Sequence, residues 1–565
     1  MKKIHLLICF IAISISVSAQ NVGIGTATPA GKLHIQGTAD ATQFIIDANS
    51  TQSNTNPFIK LRNSSGTDLM WLHSDNINNT FIGLDAGRVN NAGGGGIYNT
   101  FIGSGAGYSN TSGYDNTANG YSALYSNTIG FNNTANGNFA LYFNTIGNKN
   151  TAYGNYALYS NTQASQNTAI GNAALTVQSY NPGSPWNSDN VAVGYAALNS
   201  NQPTSINNGI ENTAIGNFAL RANTTGYSNT ANGYAALFSN TSGFHNTATG
   251  QGALYFNTAG YENTANGYGA LASNTTGTYN TAIGYKALYS QSYSPGSAWA
   301  SFNVAVGYYA LYSNQPTSTA NGYSNTAIGN LALTDNTIGL ANTAIGTSAL
   351  QDNSIGRYNT AIGYNTLWNN TMGDGNSALG YLAGPNTTNL SNTTCIGNGA
   401  TATANNQMVL GNANVTEFYS YGAYVGTTAF AANLTVLNTG QIVRSTSSRR
   451  YKKDIEPIDI NTANIYKLKP VSYNSYTDDS RHFGLIAEEV AEIIPELAMY
   501  SKEKDVVKGS TSEKMIPDAV QYPLLSVLIL KEVQKHEQTI MEQQKIIDGM
   551  KKEIEELKKL IKAAN

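Results

Sequence analysis

The feature that most constrains this chain is a short segment, N-T-A-x-G, that returns in strict phase over more than 300 residues. It starts at Asn79, Asn99, Asn116, Asn133, Asn150, Asn167, Asn190, Asn212, Asn229, Asn246, Asn263, Asn280, Asn303, Asn325, Asn342, Asn359, Asn376 and, in degenerate form, Asn392, with Phe in place of Ala in the first two copies. Most starts lie 17 residues apart, and steps of 23 and 22 each occur twice. The unit reads N-T-A-x-G-x-x-A-L-x-x-N-T-x-G-x-x. Disorder imposes no register, so constant phase predicts stacked coils in which each repeat is one supersecondary unit. A longer period is laid over the first. Asn167 to Asn280, Asn190 to Asn303 and Asn212 to Asn325 are each 113 apart, and both copies carry the insertion Q-S-Y-x-P-G-S-x-W, ending at Trp186 and Trp299. The array grew by duplicating a block of coils that already existed.

Within a unit, the fifth-position Gly suits a corner that needs positive φ, and the later N-T-x-G suits a second corner. The regularly apolar sites are the third-position Ala and the Ala-Leu pair at the eighth and ninth positions. That core is thin: ordering a residue costs about 1 to 2 kcal/mol of backbone entropy, which one Leu and two Ala per coil do not offset. Either the coils stack into a continuous column, or three chains share one core, or both. Identical Asn and Thr at matching places would form hydrogen-bonded ladders along the axis. At about 4.8 Å per coil, eighteen coils make a rod on the order of 85 Å long.

Charge divides the chain. The last 122 residues hold 40 of the 63 charged side chains, and the preceding 443 hold 23. Like charges stacked about 5 Å apart would repel along a rod, which explains their scarcity there. A net charge of -3 supplies no basic field for nucleic acid. Beyond the N-terminus no apolar run is long enough to span a bilayer. At the N-terminus, Lys2 and Lys3 precede an apolar run from Ile4 to Val17, and Val17-Ser18-Ala19 suits signal peptidase, so residues 1–19 read as a signal peptide of an exported protein. Its cleavage would remove Cys9 and leave Cys395 as the sole cysteine, with no intrachain disulfide. The six His are scattered without ligand spacing, and no phosphate-binding loop or calcium-type aspartate pattern occurs; no metal or cofactor is expected.

The N-T-A-I-G and N-V-A-V-G units resemble the N-S-x-A-I-G head repeats of trimeric autotransporter adhesins over Asn79 to Gly397. The resemblance implies a trimeric parallel β-roll. Tyr195, Tyr234, Tyr285 and Tyr308 follow the corner Gly, and exposed aromatics of that kind stack on sugars or, alternatively, ladder with their neighbours over the thin core. The paired insertions, with Trp186 and Trp299, are the stronger candidates for recognition of a cell-surface or glycan ligand.

The charged tail has its own motifs. Ser447-Ser448-Arg449-Arg450-Tyr451-Lys452-Lys453-Asp454-Ile455 is followed by Lys469-Pro470-Val471, by Arg481-His482-Phe483-Gly484-Leu485-Ile486-Ala487-Glu488-Glu489-Val490, by Ile494-Pro495-Glu496-Leu497 and by Tyr522-Pro523-Leu524-Leu525. From Ser447 to the end this series resembles the C-terminal intramolecular chaperone of phage endosialidases and tail spikes. The resemblance implies a homotrimer whose tail guides folding of a β-rich fibre and then cuts itself off with a Ser-Lys dyad. Carried onto this sequence, the nucleophile is Ser447, the base Lys452 and the scissile bond Thr446–Ser447, with Arg450, His482, Gly484 and Glu488 in the supporting motif. This chain departs from the family at Ser448, where Asp is usual, and at Glu488, where Gln is usual. A lysine base needs a depressed pKa, and Arg449 and Arg450 act in that direction. Five residues span about 500° of helix, so the dyad needs a bend or closure in an assembly.

The last stretch carries Val533, Ile540, Ile547, Ile554 and Ile561 every seven residues, with His536, Gln543, Met550 and Leu557 three places on. That is a coiled-coil seam. Together these readings predict a mainly β protein: signal peptide 1–19, β base 20–75, a trimeric β-roll or β-solenoid rod of 17-residue repeats at 76–400, a β neck 401–446, a small α/β chaperone domain 447–530 with single-turnover self-cleaving activity, and a trimeric coiled-coil helix 531–565. The alternatives are a phage-type tail fibre or a glycan-binding rod that does not cleave itself.

Overall fold

The computed structural model describes residues 54–385, 387–416, 453–475, 480–503 and 511–564, with shorter pieces between 22 and 47 and between 434 and 444. The signal-peptide segment, Cys9, Thr446, Ser447, Arg449, Arg450 and Lys452 lie outside the described residues. The chain divides into two units, Met1–Tyr419 and Ser420–Asn565.

The first unit is a β-solenoid of about 19 turns. Each turn contributes a three-residue strand over the T-A-x segment, such as Thr117–Asn119 and Thr134–Asn136, paired in parallel and in register with the next. Alternation in the strand sends the middle Ala inward and its two neighbours outward. Ala118, Ala123 and Leu124 are fully buried, and the same three places form one apolar column along the whole stack. The column is continuous within a single chain, so the core is closed without sharing it among three chains. Where Phe81 and Phe101 replace the third-position Ala, Gly87 and Gly107 replace the ninth-position Leu, because a Cβ there would lie 2.9 Å and 2.5 Å from the Phe rings. Core volume is conserved by the exchange.

The thin core is supplemented by amides. The first- and twelfth-position Asn are buried in coil after coil, Asn116 and Asn127 completely. Asn127 Nδ2 donates to Asn110 Oδ1 of the preceding coil at 2.7 Å and to the Gly130 carbonyl of its own coil at 2.9 Å. The Asn116 side chain donates to the same carbonyl at 2.9 Å, and its Oδ1 accepts the backbone N–H of Asn133 at 3.0 Å. The ladders expected from the sequence are present, and they run through the interior. At the insertions Gln178 and Gln291 stand in the Asn row: Gln178 Oε1 accepts from Asn190 and Asn201, while its Nε2 donates to the Ser188 hydroxyl at 2.9 Å. The longer arm spans the widened coil and keeps the ladder unbroken.

The two corner glycines are required for different reasons. The fifth-position Gly120 has φ 141°, and a Cβ there would sit 2.5 Å from the Gly137 carbonyl oxygen of the next coil. At Gly130 the backbone is ordinary and the constraint is purely steric, since a Cβ would lie 2.4 Å from Asn127 Oδ1. Leu124 has φ 55° although it is not a glycine. Such a left-handed residue costs about 1 to 2 kcal/mol and persists only when its surroundings over-determine it. Here the Leu124 N–H donates to the Ala140 carbonyl of the next coil at 2.9 Å while its side chain fills the core.

The stack begins earlier and ends later than the repeat motif. An antiparallel hairpin, Ile59–Arg62 with Asp68–His73, pairs with the first coil strand Thr80–Ile82 and covers its open edge. At the other end Met408–Leu410 adds a coil strand beyond residue 400 and without the motif. The degenerate copy is shifted by one place: Thr393, not Asn392, occupies the ladder position, with its hydroxyl donating to Asn376 Oδ1 at 2.7 Å.

Candidate functional site

The second unit is built around a small apolar cluster of Val490, Ile494, Leu497 and Leu528. Two antiparallel hairpins, Val471–Asn474 with Arg481–Gly484 and Ala498–Lys502 with Met515–Val520, flank the short helix Ala487–Ile493. The chain then enters a helix from Tyr522 to Ala564, 43 residues and about 65 Å long. Its seam residues Val533, Ile540, Ile547, Met550, Ile554, Leu557 and Ile561 are all exposed in the single chain.

Three of the motif residues expected from the sequence are placed by this framework. Gly484 closes its hairpin against Tyr522: a Cβ at Gly484 would lie 2.6 Å from the Tyr522 hydroxyl, which accepts the Leu485 N–H at 2.9 Å. The Gly-Leu and Tyr-Pro segments, 37 residues apart, are therefore two halves of one joint. His482 pairs across the hairpin with Tyr473, and its Nε2 lies 2.7 Å from the Ser480 hydroxyl. Glu488 is exposed in the first turn of Ala487–Ile493, where a carboxylate favours the helix N-terminus. A Gln there would lose that charge interaction, so this departure is locally tolerable. Beside the joint, Ile465, Leu468, Pro470, Phe483, Leu525 and Ile529 line an apolar cleft of about 390 Å³, and Phe483 is 80% exposed at its rim.

Sequence reasoning missed a second joint. Thr462 and Glu532 are both buried, and the Thr462 hydroxyl donates to the Glu532 carboxylate. The other Glu532 oxygen lies 3.6 Å from His536 Nε2, which in turn is 2.8 Å from the Tyr466 hydroxyl, with the two rings near-parallel at 5.7 Å. Lys531 Nζ donates to the Ile458 carbonyl. These contacts bind the start of the long helix to the 462–467 turn. They tie the ring of His536, which the heptad pattern assigns to the seam, to the 462–467 turn, while the ring itself stays exposed.

The expected recognition indoles are not displayed. Trp186 and Trp299 are only 7% and 6% exposed, each paired in a two-residue strand and met edge-on by Tyr180 or Tyr293 at 5.8 Å and 5.7 Å. They anchor the insertions, and the exposed part is the intervening turn, 181–185 in the first copy. Of the corner tyrosines, Tyr285 and Tyr308 ladder with Tyr268, stacked at 5.2 Å and 5.4 Å so that their faces cover one another, whereas Tyr195 and Tyr234 meet Phe218 edge-on at 5.1 Å and 6.0 Å. Among the described residues no cluster of His, Cys, Asp or Glu could hold a metal ion, and no helix is long and apolar enough to cross a membrane.

A many-turn β-solenoid rod followed by a C-terminal unit that matches a chaperone family fits a tail-fibre-like protein. Residues 447–499 match the family described as chaperone of endosialidase, in agreement with the resemblance read from the tail. No curated protein matches the chain.

Proposed function

We propose that this is an exported, homotrimeric, adhesin-like surface fibre whose C-terminal unit drives assembly and then severs itself from the rod between Thr446 and Ser447. The observation that carries this reading is where the family match begins. Its first residue is Ser447, so a cut just before it would release the matched module whole and leave the rod intact. In this reading Lys452, kept neutral by its cationic neighbours, takes the Ser447 hydroxyl proton, and Oγ attacks the Thr446 carbonyl carbon. The Thr446–Ser447 C–N bond breaks as the leaving amine gains the proton, and water then hydrolyses the resulting ester. Loss of the module would make the fibre's persistence a matter of unfolding rate, because the folding template is gone. The exposed helix seam supports an assembly role, since a polar-faced helix of this length with an uncovered apolar stripe needs a partner. Any cell-surface ligand of the rod would meet the exposed insertion turns.

Intact-mass measurement of the expressed chain tests this directly. Two products joined at Thr446/Ser447 are expected from the wild type, and one uncut chain, still oligomeric in sedimentation, from Ser447→Ala. The same two products from Ser447→Ala would remove the mechanism.

A further inference from the structure

Each coil strand directs two side chains outward, from the second and fourth positions of the repeat. Neither column contains a charged residue in any coil, although the rod accepts charge elsewhere, as at Lys149, Glu211 and Glu262, each the last residue of its coil. The fourth-position column changes character along the rod. It is polar at Asn119 and Asn136 and again at Asn232, Thr249 and Asn266. From Ile283 to Leu410 every fourth-position residue is aliphatic: Ile283, Ile328, Ile345, Ile362, Leu379, Ile396 and Leu410 are exposed and Val306 is half-buried. Beside it runs the second-position column of Thr281, Thr326, Thr343, Thr360 and Thr394, whose hydroxyls make no hydrogen bond to the protein among the described residues and whose methyl groups extend the apolar strip. A contiguous apolar surface of this kind on a soluble rod marks an interaction site.

We propose that this strip, the C-terminal eight coils of the rod, is the face on which rods of different copies of the chain pack side by side. The proposal rests on the homotrimeric reading above and assigns it a surface. Three features select a second copy as the occupant. The strip repeats at the strand spacing of about 4.8 Å, and only a partner with the same repeat can match it coil for coil. It carries no charge to steer or select a dissimilar partner. Eight coils and two columns give on the order of 500 Å² per copy, so two copies bury about 1,000 Å², the threshold for a specific interface. Aliphatic rows pack there as identical ladders, and the Asn-bearing stretches nearer the N-terminus contribute less.

Single cysteines in the full chain test the assignment. Ile345 and Ile355 are equally exposed, at 37% and 38%, but Ile355 stands at the fourteenth position, outside the strip. The native Cys395 is buried in the core and does not compete. Under mild oxidation Ile345→Cys is expected to give disulfide-linked pairs and Ile355→Cys none. Equal linkage from both, or linkage from neither, overturns the assigned face. If sedimentation then still reports an oligomer, the homotrimeric reading survives; a monomer removes both. As a second check, Ile345→Asn with Ile362→Asn is expected to abolish the Ile345-dependent packing without loss of β-structure, since Asn occupies this column natively in other coils.

Discussion

The rod and the C-terminal unit solve the same problem by opposite means. In the rod each buried side chain has its own copy as its partner one coil away, and the amide and apolar columns are complete within one chain. In the C-terminal unit the decisive partners are unlike and distant: Thr462 meets Glu532 across 70 residues, and Leu485 meets Tyr522 across 37. That unit also leaves its helix seam and Phe483 uncovered. The rod completes its core within one chain, whereas the tail leaves an apolar seam uncovered. Of the alternatives open to a thin core, the stacked continuous column is the one observed. What the thin-core expectation omitted is the contribution of interior amides, each buried hydrogen bond adding about 1 kcal/mol and each orphaned partner costing about 1 to 3 kcal/mol.

The comparison makes the rod locally fragile in a specific way. Asn240→Leu would leave Asn223 Oδ1 and one Asn257 Nδ2–H without a partner in the interior and take from the Gly243 carbonyl one of its two donors, the other being Asn229 Nδ2. The expected loss is about 3 to 6 kcal/mol, read by hydrogen exchange as fraying of the coils around residue 240 while coils several turns away stay protected. Global melting instead would mean that the rod is not a nearest-neighbour stack. A smaller effect is expected in the tail: Thr462→Val removes the hydroxyl that meets the buried Glu532 carboxylate, for about 2 kcal/mol. It should lower the melting temperature of the C-terminal unit and the yield of assembled protein, with rod exchange unchanged.

The smallest effect concerns the rod's capping hairpin. Burial holds the His73 imidazole below its ordinary value. Above the unfolded value near 6.5 both states are neutral and nothing is lost. As the pH falls below it, the unfolded chain gains a proton that the folded cap resists, so stability declines until the folded value is passed. Lower protection of Asp68–His73 on acidification, after division by the intrinsic exchange rate at each pH, with the pH dependence abolished in His73→Phe, is the expected result.

Most of the rod was legible because a periodic sequence repeats each clue. The third-position Ala, the ninth-position Leu and the Asn ladders are visible in any single unit, and their burial follows from the register. What was hidden depended on three-dimensional proximity. Nothing in the sequence marks Leu124 as left-handed, because that conformation is imposed by hydrogen bonds from neighbouring coils. The shift from Asn392 to Thr393 was concealed because Asn is the expected residue and Thr can also hydrogen-bond there. The Met408–Leu410 coil was missed because it lacks the motif and is shorter, with Thr394 and Met408 only 14 residues apart. In the tail, the chaperone motif series was legible, as the match over residues 447–499 shows, whereas the Glu532 joint was not, because no local spacing announces a contact across 70 residues.

The stacked coils have a further consequence, one of alignment. A surface that looks the same after every 17 residues, and again after 113, is a ruler without numerals. Within a run of equal coils two such rods could slide by one notch and recover most of their contacts there, so packing energy in such a run distinguishes correct from staggered pairs only weakly. A zero mark has to come from chain that does not repeat, and here the aperiodic sequence after the rod is the charged tail. On the proposed reading, a tail needed only while the zero is being set can afterwards be discarded without the scale slipping.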